Sequence, residues 1–385
     1  MKFPMFKVAI DEESALQNLR LVFESGYINE GIQVTEFQEG LKKHLGVNSL
    51  VVMNSCTSAL TVAYKLAGVE PGTEVISSPL TCIATNTPVI NLGGKIVWCD
   101  IDPLTGNIDP TKIEDLITPN TKAIAYVDWA GNPAELETIW EIGRRNNVKV
   151  IQDAAHAYGA TWKGESVSNF ADYTCFSFQA IKHLSSADGG ALVCHDSTDL
   201  KLARKLKWFG YDRESTKDEK GEWKGQRWDA DIETGEVGFK FNMNNVAAAI
   251  GLSSLKNVDS ILSKHRRNAS IYNEIFGDSK SIKPLSVSPH AISSYWAYTL
   301  LIDVETNMHR DSIIMELNNI GIGAGLIHLP NDGYSAFKDF ATDLPGLRYF
   351  ERNQLSLPCG WWLSEDDIRD IAHNTLKLVT AKLYA

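Results

Sequence analysis

The chain has 385 residues, enough for two domains with a core each. Hydrophobic residues make up 44% and charged residues 22%, as in an ordinary globular protein. The net charge of −11 argues against nucleic acid or an anionic membrane as a partner, while leaving room for an anionic small substrate in a local basic pocket. Six cysteines at 56, 82, 99, 175, 194 and 359 form no Cys-x-x-Cys pair. They read as reduced core residues of a cytoplasmic protein rather than as a zinc or redox site. The N-terminus, MKFPMFKVAIDEE, lacks the apolar stretch of a signal peptide, and no run reaches the ~18 apolar residues that span a bilayer.

In chain order, short apolar runs alternate with helical patterns. The predicted strands are 50–54, 74–79, 95–100, 123–129, 148–154, 173–178 and 190–195. The predicted helices are Ser58–Leu66, Cys82–Asn91, Thr111–Leu116, Leu136–Asn146 and Thr198–Lys207. Such alternation specifies an α/β fold with a mostly parallel central sheet and helices on both faces. Residues 211–235 are charged, punctuated by glycine and aperiodic, and read as a long surface loop bearing Trp223 and Trp228. After 239–255 a long helix is expected through about Phe276. A strand-like run at 293–304, a helix at 311–321 and a C-terminal helix from about Ser364 follow. The expected division is a large domain over 1–250 and a smaller α/β domain over 251–385.

In open α/β sheets ligands bind beyond the strand C-termini. Three predicted strand ends carry polar residues: Asn54-Ser55-Cys56-Thr57-Ser58, Asp128-Trp129 and Asp153. Asp153 ends an apolar run, and Lys182 lies downstream, after FSFQAI and before Ser-Ser-Ala-Asp-Gly-Gly. Alone, each reads as an ordinary strand-end acid or surface lysine. Together they are what pyridoxal phosphate chemistry needs: a lysine to form the Schiff base and an acid to keep the pyridine nitrogen protonated. The 54–60 segment would open a helix after a strand, where backbone N–H groups and hydroxyls bind phosphate. It also reads as a plain Ser/Thr N-cap.

The stretch DAAHAYGA…FADYTCFSFQAIKHLSSADGGAL resembles the DegT-type (DegT/DnrJ/StrS) sugar aminotransferases, which are fold-type I pyridoxal phosphate enzymes. The likeness runs from Tyr27 to the C-terminal helix. It implies an aminotransferase that moves an amino group, from glutamate, onto a keto-sugar nucleotide. Lys182 matches the family's Schiff-base lysine, Asp153 its acid under the pyridine nitrogen, and His156 the position against the cofactor's 3-oxygen or ring. Thr57 falls in register with the family's phosphate-binding Ser-Gly-Thr, with Ser58 adding a hydroxyl and Cys56 standing where glycine is common. Ser177 matches a second phosphate hydroxyl, and Gln179 is a weaker candidate. Cys82 replaces an aromatic beside the ring.

The resemblance also implies a homodimer with shared active sites. Lys240, in GFKFNMNN, stands where an asparagine of the second subunit reaches the phosphate, and Asn242 replaces an arginine. Substrate-side candidates are Trp129, His183, Trp228, His328 and Asn331, with Asp128 and Asp332 as polar neighbours. Two alternatives stay open: a dehydratase of the same family, in which histidine replaces the lysine, and a pyridoxal-binding regulator without turnover.

Overall fold

The structure is a computed structural model and describes residues 1–212, 232–302 and 307–383. The first nine strands are β1 (Leu50–Met53), β2 (Glu74–Ser77), β3 (Lys95–Trp98), β4 (Thr121–Val127), β5 (Lys149–Asp153), β6 (Thr161–Trp162), β7 (Glu165–Ser166), β8 (Tyr173–Ser177) and β9 (Gly190–Cys194). Seven of them form one sheet in the order β1-β9-β8-β5-β4-β2-β3. All neighbours pair in parallel except β9, which runs antiparallel to both β1 and β8.

Side chains alternate across this sheet, and both faces are apolar. Leu50, Val52, Ile124, Tyr126 and Phe176 enter one core, while Val51, Met53, Ala125, Val127 and Cys175 enter the other. That two-sided burial is why the strands read as continuous apolar runs. Helices α1 (Glu12–Ser25) and α2 (Ile32–Leu45) precede the sheet and were not anticipated. Residues Val34, Phe37, Leu41 and Leu45 recur at helical spacing and place α2 in the first core with α5 (Leu136–Asn146). Helices α3 (Cys56–Leu66), α4 (Ile83–Asn91) and α6 (Ser197–Leu206) fall where they were expected. Residues of α3, α4 and α6 supply the second core.

One expected helix is corrected. Residues 111–116 form two short 3-10 turns, Pro110–Lys112 and Glu114–Leu116, not an α-helix. Asp109 caps the first turn through the Thr111 N–H, and six residues offer too few i→i−4 bonds to carry a helix. The long helix expected after 239–255 is present as α8 (Val258–Phe276), and the segment before it carries a separate helix, α7 (Asn245–Leu255), that was not anticipated.

Beyond α8, the strands β10 (Ile282–Pro284), β12 (Tyr298–Ile302) and β13 (Gln354–Leu357) form a small antiparallel sheet. The strand β11 (Ala291–Ile292) joins β6 and β7. Helices α9 (Asn307–Asn319), α10 (Pro345–Asn353) and α11 (Glu365–Leu383) complete the chain. A third core gathers Tyr272, Phe276, Leu300, Leu317, Leu355 and Ile371, together with Phe3 from the N-terminus.

Candidate active site

Strand β5 is an apolar run that ends in two buried polar residues, Gln152 and Asp153. Asp153 Oδ2 accepts the Thr85 hydroxyl at 2.6 Å, and Oδ1 accepts the Ala155 N–H at 3.0 Å. The Cys56 thiol lies 3.9 Å from Oδ1. Burial pushes the Asp153 carboxyl up from its ordinary range, and these donors pull it back. Thr85 is itself held by Thr81 at 2.7 Å. Beside it, the Gln152 amide donates to Asp128 Oδ2 at 2.7 Å and accepts from Thr174 at 2.9 Å, tying β4, β5 and β8 together. Burial pushes Asp128 up to about 7.

Lys182 lies in the loop between β8 and β9. That loop is closed by Phe178 N–H to Gly189 O at 2.9 Å and Ser186 N–H to Phe178 O at 2.8 Å. The Lys182 Nζ sits 3.6 Å from the centroid of the Trp296 ring. Burial lowers its pKa to about 8, against the pull of the Asp153 charge and of the Cys56 and Cys82 sulfurs.

His156 stacks on the same indole at 4.1 Å and on His328 at 5.3 Å, with the two Nε2 atoms 3.3 Å apart. One of the two rings must donate there, so at least one carries its proton on Nε2. His156 Nδ1 is buried without a hydrogen-bond partner among the described residues. Burial, and then the Lys182 charge, hold both rings neutral: His328 falls to about 4, and His156 lies well below the ordinary histidine value. The buried Trp129 meets both imidazoles edge-on, at 6.5 and 6.0 Å. It stands at a tight turn in which Ala130 (φ 54°) and Gly131 (φ 91°) are left-handed. A Cβ at Gly131 would lie 2.3 Å from Ser294 Oγ, so that position needs glycine.

The other end of the site is built on α3. Ser55 is its N-cap and accepts the Ser58 N–H at 3.1 Å, while the Ser58 hydroxyl is taken by Asn54 at 2.6 Å. The first N–H groups of a helix have no intrahelical acceptor, which leaves those of Cys56 and Thr57 directed out of the helix end. Gly190 pairs with Met53 on one side and Ser177 on the other. A Cβ on it would lie 2.4 Å from the Cys56 nitrogen, so only glycine lets β9 pass this close to the helix end. Ser177 thus lies two strand spacings, about 10 Å, from Met53. Thr57, Gln179 and Lys240 are exposed. Gln179 Oε1 accepts the Ile181 N–H at 3.1 Å. Lys240 Nζ is bonded to Asn242 and lies 4.0 Å over the Trp208 ring.

Residues 9–376 match the model of the DegT/DnrJ/EryC1/StrS aminotransferase family. The chain belongs to that family. It is 31% identical to a UDP-4-amino-4,6-dideoxy-N-acetyl-beta-L-altrosamine transaminase of Campylobacter jejuni, over 90% of each protein. Among solved structures, AtS13 from Actinomadura melliaura superposes with a TM-score of 0.90 at 34% identity, covering 98% of each chain. The PLP form of a putative sugar aminotransferase, Spr1654 of Streptococcus pneumoniae, does so at 25% identity with a TM-score of 0.90, over 99% of this chain and 100% of that one. The protein is a pyridoxal phosphate-dependent sugar aminotransferase.

The residues present in this aminotransferase fit the cofactor. An amine of lowered pKa, a buried acid, a partnerless ring nitrogen on His156 and a helix N-terminus lie along one edge of the sheet. Not every expected residue joins them. His183 is buried, with Nε2 3.0 Å from the Ser294 carbonyl and its ring edge-on to His265 at 4.6 Å. One ring nitrogen is thus committed to the Ser294 carbonyl and one ring edge to His265, which ties the side chain to the core. Asn331 is likewise committed: its amide donates to Thr81 O at 2.8 Å and accepts from Asn86 at 2.9 Å, pinning its loop to the segment after β2. Asp332 is paired with Arg348. Trp223 and Trp228 lie outside the described residues.

Sequence reasoning missed Thr85 and Trp296. Thr85 carried a signal, since Thr81 and Thr85 sit one helical turn apart in an apolar context. Trp296 carried none, because it reaches Lys182 from a remote strand-like run.

Proposed function

We propose that this enzyme moves an amino group from an amino acid, glutamate, onto the keto carbon of a nucleotide-linked sugar. The observation that carries this reading is the Lys182 amine, lowered by burial to about 8 and placed against the Trp296 ring in a pocket that also holds the buried Asp153. The names of the relatives support the substrate class: one transaminase acts on a UDP sugar, and a 32% identical protein of Caulobacter vibrioides is a GDP-perosamine synthase.

When bound, pyridoxal phosphate supplies an electron sink beside the reacting carbon. Lys182 Nζ would attach it and hold or release a proton near neutral pH. Asp153 would face the ring nitrogen, its charge favouring the protonated ring. His156, stacked and neutral, would offer its partnerless Nδ1 to the ring oxygen, and Cys82 would border the ring. The Cys56 and Thr57 N–H groups, with the hydroxyls of Thr57 and Ser177 and the amide of Gln179, would hold the phosphate, while the Ser58 hydroxyl, given to Asn54, braces the helix end. His328, backed by the buried Trp129, would face the sugar.

A homodimer with shared sites completes the reading, with Lys240 of the partner subunit reaching the phosphate. Exposed Tyr27 and Ile28 adjoin Asn29, which is bonded to Asn242 of the Lys240 segment, and support an assembly surface. The six free cysteines support a cytoplasmic setting. We keep the division near residue 250. Helix α8 would join the domains, since Val258 and Leu262 belong to the first core and Tyr272 and Phe276 to the third. The dehydratase alternative loses ground because position 182 is a lysine in the site and His183 is engaged in the core.

The test is a panel of UDP-, GDP- and TDP-linked keto-sugars given to enzyme loaded with pyridoxamine phosphate. Consumption of the amino form by one sugar, with an aminosugar product by mass spectrometry, is expected. It should be abolished in Lys182→Ala. No consumption by any member would overturn the substrate class.

A further inference from the structure

Trp296 is the most heavily committed aromatic in the site, and none of the chemistry above uses it. It is 3% exposed. Its backbone N–H donates to Ala130 O at 2.9 Å, in the Trp129 turn. Its indole Nε1–H donates to Ile181 O at 2.9 Å, on the residue that precedes Lys182. Phe6 stacks on the indole at 4.5 Å and His156 at 4.1 Å. Its orientation is therefore fixed by two hydrogen bonds and two stacked rings. The Lys182 Nζ rests 3.6 Å from its centroid, well inside cation–π range.

This geometry resolves a conflict in the pocket. The lysine must be able to hold a proton whenever it is not bonded to the cofactor, yet it is half-buried against the buried Trp296. Burial disfavours its ammonium, and Asp153, Cys56 and Cys82 favour it. His156, His183 and His328 each feel its charge and are held neutral, so they add no repulsion. What remains to receive the ammonium is the negative face of a desolvated indole, where such contacts are strongest.

We propose that the Trp296 indole is the seat of the free Lys182 ammonium, a positioning residue that holds this amine protonated and aimed into the site while it is detached from the cofactor. The Nε1–H bond to Ile181 O fixes the seat relative to the lysine's own backbone. Release from the cofactor then returns the amine to one defined place instead of a set of rotamers. This rests on the reading that Lys182 is the residue that bonds the cofactor.

The test uses holoenzyme reconstituted with pyridoxamine phosphate, which has no aldehyde and leaves Lys182 free. Acylation of Lys182 by a limiting amine reagent, followed by peptide mass spectrometry across pH, reports its proton affinity independently of turnover. Trp296→Leu should raise Lys182 labelling at fixed pH about ten-fold, a displacement of the profile by about one pH unit. Trp296→Phe, which keeps a π face but loses the indole N–H, should retain most of the wild-type profile. If Trp296→Leu does not fold, fluorinated tryptophan placed at 296 preserves the shape while weakening the π face. The profile should then move the same way, further with more fluorine.

A folded variant that binds pyridoxamine phosphate yet labels with the wild-type pH profile overturns the proposal. So does an equal displacement in the Leu and Phe variants, which would indicate packing alone. Borohydride treatment of wild-type enzyme loaded with pyridoxal phosphate separates the two ideas. Failure to fix the cofactor to Lys182 refutes the underlying reading, whereas fixation with an unmoved labelling profile refutes only the seat.

Discussion

The two ends of the site are built on opposite principles. At the ring end, Asp153, Lys182, Trp296 and His156 are held by tightly packed neighbours from several strand ends and from the segment before β12. The Asp153 carboxylate has its hydrogen bonds already made, and both stacked histidines are kept neutral. At the phosphate end, Thr57, Gln179 and Lys240 are exposed, and the helix N-terminus of α3 opens outward. A dry, preorganised end suits bond-making, because electrostatic interactions act there at low dielectric and need no reorganisation. An open end suits a dianionic anchor, and in our proposal a second subunit closes it.

The comparison breaks first at Asp153. If the ring end depends on that charge, Asp153→Asn should lower turnover by about 10²–10³-fold while the protein stays folded, since one oxygen still accepts from Thr85. The checks are steady-state kinetics alongside thermal unfolding. Wild-type rates would remove the electrostatic asymmetry between the two ends.

A smaller effect is expected at the phosphate end. Lys240→Glu should cost about 10–100-fold, mainly through weaker cofactor retention. Mixed under subunit exchange with inactive Lys182→Ala, it should recover activity, because each hybrid dimer then has one site with both lesions and one with neither. Random exchange gives a recovery of about one quarter of wild-type turnover. No recovery after proven exchange would mean that each chain completes its own site.

The smallest effect sharpens the claim that the ring end is dry. His328 titrates at about 4 in the folded chain and near 6.5 when unfolded, so the unfolded state binds more protons between those values. Stability should therefore rise with pH from 4 to 6.5 and fall as the medium is acidified through that window. Its share is about 2 kcal/mol after allowance for partial solvation. His328→Gln should flatten the slope of unfolding free energy against pH, measured by denaturant titration. An unchanged slope would show that the pocket admits water.

What the sequence determined by itself follows from local rules. Continuous apolar strands, helices between them and polar residues at strand ends specify a sheet buried on both faces with a crevice along one edge. The seven central strands lie where the apolar runs stand. Asp153 and Lys182 were legible because one strand end and one loop, in one stretch of chain, carry them. Helices α1 and α2 were missed although their buried positions keep helical spacing, and 111–116 was misread because a capped proline turn imitates a helix start.

Only the tertiary structure decided which polar side chains stay available. His156 and His183 look alike in the sequence, yet one stacks in the site and the other is bonded to Ser294 and packed on His265. Asn331 reads as a substrate-side amide, yet it is buried and bonded to Thr81 and Asn86, pinning its loop to the segment after β2. Trp296 arrives under Lys182 from far along the chain. Burial and hydrogen bonding depend on what packs from distant segments, and no local pattern encodes that.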